Sequence, residues 1–211
     1  MPTEYRSTYD QAIMKPAHLP RLKAALFIIC LLPIARGAWI VLSGAAINPV
    51  EFIIRSLGTW GLTALLATLA ITPLRRLSGW NWLVKLRRML GLFAFFYISL
   101  HFAVYIWLDK FFELPAILRD IYKRPFITVG FAAFILLIPL AITSTDAMMR
   151  RLKRNWVRLH WLVYPIAMAG VLHYWWLVKR DHTQPLIYAL CLALLLAARL
   201  WWRLRKAPAA T

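Results

Sequence analysis

A chain of 211 residues that is 62% hydrophobic and only 16% charged lies outside the soluble globular range of about 45–50% apolar and about 25% charged. Its 26 Lys and Arg against 8 Asp and Glu give a net charge of +18. Those cations sit between long apolar runs, so membrane topology accounts for them and a nucleic-acid binder is excluded.

The first residues carry Glu4, Arg6, Asp10 and Lys15 ahead of any apolar run. No cleavage pattern follows the first run, so it reads as a retained helix behind a cytoplasmic segment over 1–22. A hydrocarbon core of about 30 Å takes about 20 apolar residues in helical form. Six runs qualify: 24–43, 53–74, 89–108, 126–145, 157–178 and 185–202. They are continuously apolar rather than alternating, which fits helices and not barrel strands. The expected fold is therefore all-α, a polytopic bundle of six transmembrane helices over 23–203, with a tail over 204–211. The longest connection, 109–125, is broken by Pro115 and Pro125 and flanked by Trp107, Phe111, Phe112 and Tyr122. Such a segment suits the membrane interface. No internal repeat is evident, and the loops are too short to hide a soluble domain. Cys30 and Cys191 fall inside apolar runs without CxxC or Cys–His spacing, so neither a disulfide framework nor a zinc site follows.

Orientation comes from the loop cations. Both terminal segments and the connections after helices two and four hold eighteen Lys and Arg, and the opposite side holds seven. The positive-inside rule places both termini in the cytoplasm.

Ionisable groups at membrane depth are costly and are candidates for function. Within the runs these are Arg36, His101, His160, His173 and Arg199; His18 and His182 fall outside and are expected to be solvated. His101 lies 13 residues past Arg88 at the inner end of helix three, and His173 lies 15 past Arg158. At about 1.5 Å per residue both sit roughly 20–22 Å from the inner side. A lone membrane histidine is often a packing residue. Two in one layer on different helices are the arrangement for axial ligation of one haem iron. The absence of C-x-x-C-H rules out covalent c-type attachment. His160, 13 residues before His173, would serve an inner layer about 20 Å away, and Pro165 between them is expected to kink the helix. The residue 13 before His101 is Arg88 rather than histidine, so an inner bis-histidine site does not follow. Arg36 is left between snorkelling and pairing with a haem propionate, and Arg199 is expected to snorkel to the cytoplasmic face. The run at 150–154 reads as a topology determinant, with contact to anionic lipid or a flavin phosphate as the alternative.

Several stretches, taken together, resemble one family. They are I-T-P-L-R-R-L at 71–77, R-R-M-L-G-L at 87–92 with His101 beyond it, and R-P-F-I-T-V-G at 124–130. I-T-S-T-D-A-M at 142–148, L-H-W-L-V-Y at 159–164 and L-H-Y-W-W at 172–176 complete the set. In this order and spacing, from about 22 to 200, the chain is similar to the MsrQ (formerly YedZ) family within the ferric-reductase-like transmembrane group. The resemblance implies a haem b subunit of a bacterial inner-membrane methionine sulfoxide reductase system. Such a subunit passes electrons from quinones or a cytoplasmic flavin reductase to the periplasmic molybdopterin protein MsrP, which itself reduces the sulfoxide. It also implies FMN, for which no contacts are identifiable, and either one haem or two. His101 and His173 match the outer ligands, His160 the third family histidine, and Arg88 or Arg87 the position considered for a second inner ligand. The rival readings are another ferric or quinone reductase cytochrome b subunit, and a small membrane transporter.

Overall fold

The computed structural model describes residues 18–205. Arg6, Lys15, Lys206 and most of the two terminal segments therefore lie outside the described residues. Those described are helical throughout, connected by turns and short loops.

Helix α1 (Leu19–Leu42) starts with Pro20 in its first turn, where the missing N–H costs nothing. Helix α2 (Pro49–Ser78) repeats that device with Pro49, and Asn48 caps it by accepting the Glu51 N–H at 3.2 Å. It ends at Gly79, whose φ of 75° closes the helix in the left-handed region. A short 3-10 turn leads into α3 (Val84–Val104), which continues as a π turn through Asp109. The chain then reverses through Phe111 and Phe112, both at positive φ, into α4 (Leu114–Lys123). Helix α5 (Pro125–Ile142) follows, then the short α6 (Asp146–Leu152) and α7 (Arg154–His160). Last come α8 (Val163–Leu177) and α9 (Thr183–Leu204).

Among the described residues five segments are long and apolar enough to cross a membrane: Leu19–Leu42, Pro49–Ser78, Asn81–Asp109, Pro125–Ile142 and Thr183–Leu204. The fifth expected run is divided at Trp161 and Leu162 into α7 and a 15-residue α8. Pro165 explains the break. It has no N–H to give to the Trp161 carbonyl four residues back, and its ring clashes there. That carbonyl instead accepts the Tyr164 N–H at 3.1 Å. The longest loop, expected to lie along the membrane interface, holds helix α4. Its apolar Ile117 is buried against the bundle while Tyr122 stands exposed.

The centre of the bundle is α2. It packs most extensively on α3, and α5 packs on α8 in the same way. Leu65, Leu69, Ala94, Tyr97, Ile166 and Ala167 are at most 2% exposed where these pairs meet. Tyr97 donates to the Cys30 carbonyl at 2.5 Å and fastens α1 to α3, and Thr63 and Tyr188 share a hydrogen bond of 2.8 Å between α2 and α9. Apolar side chains elsewhere face outward, including Phe27, Ile28, Ile29 and Leu194, as a lipid-facing surface requires.

Arg199 departs from the expectation that it snorkels. Its guanidinium turns inward, donating to the carbonyls of Leu195 (3.1 Å) and Leu69, and lies over the Tyr164 ring. An apolar interior makes a backbone carbonyl a better partner than a distant interface.

Candidate cofactor site

Two of the candidate histidines meet. His101 lies in the last turn of α3, and His173 lies ten residues into α8. Their ring centroids are 6.3 Å apart and their planes stand at 79°. Each ring is held by a backbone carbonyl on the neighbouring helix. His101 Nδ1 lies 2.8 Å from the Ile54 oxygen on α2, and His173 Nδ1 lies 2.6 Å from the Phe126 oxygen on α5. A carbonyl only accepts, so both Nδ1 atoms carry the proton and donate it. That leaves each Nε2 with a free lone pair, the state a metal ligand needs.

The separation is the decisive quantity. Metal–imidazole bonds of about 2.0–2.1 Å, with about 1.1 Å from nitrogen to ring centre on each side, add to roughly 6.3 Å between centroids. The observed spacing equals the one that a single iron bound by both rings would set. No group of three or more His, Cys, Asp or Glu able to hold a bare ion occurs among the described residues. A porphyrin needs no such group, because it supplies four nitrogens and asks only two axial ligands of the protein. The residues present therefore fit haem b.

Glycines enter where the sequence reading had assigned nothing. Gly58 on α2 faces the His101 ring, and Gly130 on α5 faces the His173 ring. Gly130 stood in a motif quoted above only for its resemblance. The one signal available was that each glycine precedes its histidine by 43 residues.

The inner candidates are arranged differently. His160 ends α7, stacked on Trp156 with centroids 3.8 Å apart, and its Nδ1 donates to the Trp156 carbonyl at 3.0 Å. Its Nε2 is buried without a partner. Arg88 does not join it in a ligand pair; its guanidinium is taken by Asp146 at 2.8 Å, on the exposed surface. Arg36 is exposed on α1. His182, expected in solvent, stacks on Trp175 at 4.9 Å, and its Nδ1 is buried; His18 is exposed. No set of described residues assigns a place to FMN.

A polar cluster stands beyond His101 at the end of the third span. Asp120 of α4, 8% exposed, receives Lys110 at 2.8 Å, Arg124 at 3.2 Å and the Tyr105 hydroxyl at 3.2 Å. Burial pushes its carboxyl up, but Lys110 and Arg124 outweigh that and hold it below the usual carboxylate range. The bond to Asp120 correspondingly raises Lys110. This cluster fastens α4 to the end of the helix that carries His101.

Comparison with known proteins shows the family. Residues 57–171 match the family described as ferric reductase like transmembrane component, a stretch that includes Gly58, Gly130, His101 and His160. The chain is 55% identical over 195 residues to a protein-methionine-sulfoxide reductase heme-binding subunit MsrQ of Herminiimonas arsenicoxydans, covering 90% of this chain and 89% of that protein. It is 54% identical over 192 residues to the same-named subunit of Bordetella pertussis, covering 89% and 93%. The Ralstonia nicotianae subunit is 49% identical over 203 residues, covering 93% and 92%. No solved structure matches the chain.

Proposed function

The chain belongs to the MsrQ family within the ferric reductase like transmembrane proteins, and from that premise we propose that it holds haem b between His101 and His173 and carries electrons across the membrane to a periplasmic molybdopterin methionine sulfoxide reductase. The observation that carries this reading is the 6.3 Å ring separation with both Nδ1 atoms tied to carbonyls.

Bound there, haem would supply reversible one-electron chemistry. The protein's share is orientation and insulation. The Ile54 and Phe126 carbonyls fix the tautomer and direction of the two imidazoles and raise their basicity. Phe126, with its ring centroid 6.1 Å from His173, screens one side, and the buried faces of α2, α3, α5 and α8 keep water from the layer. Counting helical rise from Arg88 places this layer about 20 Å from the inner side of a core about 30 Å thick. The outer edge is thus the nearer one, which favours a periplasmic acceptor. The sulfoxide is reduced on the partner. Quinol or a cytoplasmic flavin reductase supplies electrons from the inner side, and both termini are cytoplasmic by the balance of loop cations.

A second, inner cofactor contact is supported by the buried and unpartnered Nε2 of His160. Any ligand role for Arg88 there would require it to give up Asp146.

The test is sidedness. In oriented inner-membrane vesicles given quinol or reduced flavin, an added periplasmic-type molybdoenzyme should be reduced only at the face exposing Lys110 and Lys179. Equal reduction at both faces, or a normal rate with His101→Ala, overturns the path.

A further inference from the structure

The two histidine sites are built the same way, and the correspondence runs through the chain at one offset. Ile54, Gly58 and His101 lie 72 residues before Phe126, Gly130 and His173 respectively. In each set the histidine donates to a carbonyl 47 residues earlier. In each, the glycine one helical turn past that carbonyl lies under the ring. A Cβ on Gly58 would stand 3.1 Å from His101 Nδ1 and 3.2 Å from Cε1. On Gly130 it would stand 2.6 Å from His173 Nδ1, 2.9 Å from Cε1 and 3.1 Å from Cγ. No side chain fits under the His173 ring as placed, and one fits under His101 only if the ring yields.

Resting on the haem reading above, we propose that Gly58 and Gly130 are positioning residues: with the carbonyls of Ile54 and Phe126 they form two copies of one cradle that sets the direction and plane of each axial imidazole. The carbonyl aims Nδ1, and the bare glycine surface lets the ring lie against the helix closely enough to reach it. Two such cradles on different helices hold the imidazole planes at 79°. Near-perpendicular planes leave the two iron orbitals that face the ligands nearly equal in energy, which gives a ferric low-spin signal of strong anisotropy. Parallel planes would instead give a three-line rhombic signal. The Nδ1–H···O=C bonds also make each ligand a better donor, stabilising the ferric iron and lowering its potential.

The other glycines separate this role from ordinary packing. Gly61, also on α2, would bring a Cβ within 2.6 Å of Ile98 Cγ1 and 3.4 Å of Tyr97 Cβ, with no histidine among its nearest atoms, and Gly91 has only Thr68 Cγ2 at 3.8 Å. Gly58→Ala, Gly130→Ala, Gly61→Ala and Gly91→Ala are therefore compared in the full chain. The readouts are haem stoichiometry, the low-temperature electron paramagnetic resonance spectrum, the midpoint potential and Tm.

The wild-type protein should show the anisotropic signal. Gly58→Ala should move that signal and raise the potential, and Gly130→Ala, with less clearance, should do both further or lose haem. Gly61→Ala should lower Tm while leaving signal and potential in place, and Gly91→Ala should change neither. Wild-type signal and potential in fully loaded Gly58→Ala and Gly130→Ala overturn the proposal, as does an equal shift in Gly61→Ala. Where Gly130→Ala does not accumulate, Gly58→Ala decides alone. A wild-type protein purified without haem overturns the haem reading instead.

Discussion

Asp120→Asn keeps the volume of a buried side chain and removes its charge, which isolates the role of the polar cluster under α4. The side chains of Lys110, 17% exposed, and Asp120, 11% exposed, form the partly buried pair. A hydrogen bond to a charged group is worth about 1.5–3 kcal/mol. Arg124 is 53% exposed and adds at most about 1 kcal/mol, as a surface pair does. The amide oxygen of Asn retains part of both contacts, so the expected loss is about 2–3 kcal/mol from the docking of α4. That corresponds to an opening equilibrium raised about 30- to 150-fold. Local opening of this kind is read by hydrogen exchange at the amides of residues 117–123, with those of the α2 core as an internal reference. The pH dependence has a definite sign. The folded carboxyl lies below its ordinary value, so its contribution is complete above the unfolded pKa of about 3.9 and is lost only as pH falls through the lower folded value. Protection in the wild type should be flat from about pH 5 to 8 after correction for intrinsic exchange. Unchanged protection in Asp120→Asn, together with a large loss in Ile117→Ala, would show that the apolar face alone seats α4.

Three further outcomes follow from particular contacts. Thr63→Val and Tyr188→Phe should show a double-mutant coupling of about 0.6 kcal/mol and no more than about 1.7, the range for interhelical hydrogen bonds in membranes; zero coupling removes the link between α2 and α9. Arg88→Ala and Asp146→Ala should each cost no more than about 1 kcal/mol, because their pair is exposed; loss of the outer haem spectrum in either would give Arg88 a larger role. His160→Ala should leave that spectrum nearly intact while slowing electron entry from the inner side, since His160 ends α7 and His173 lies about 15 Å of helical rise into α8. Loss of the outer haem alone would reverse the depth order.

The apolar runs made the helical membrane fold legible, because spans are written in consecutive residues and need no tertiary knowledge. The meeting of His101 and His173 was legible for a related reason, since helical rise converts residue number into depth. Depth says nothing about rotation around the helix, so the same arithmetic was silent about His160, which turned toward Trp156 of its own helix. The division of the fifth run at Trp161 was foreshadowed by Pro165, although a kink and a break look alike in sequence. Arg199 was misread because a snorkelling side chain and one that finds a carbonyl have the same hydropathy signature. The repeat escaped notice because its two copies lie 72 residues apart and share few identities, a glycine and a histidine 43 residues from each other in each copy, which become a pattern only when folding brings glycine under ring.

The most direct test of the central claim is haem content and optical spectrum of the purified full chain beside its His101→Ala and His173→Ala variants, all checked for membrane insertion. The wild-type protein should be red and low-spin, and each variant should insert normally while losing the haem held between the two rings. Full haem occupancy with an unchanged low-spin spectrum in both variants would contradict the assignment.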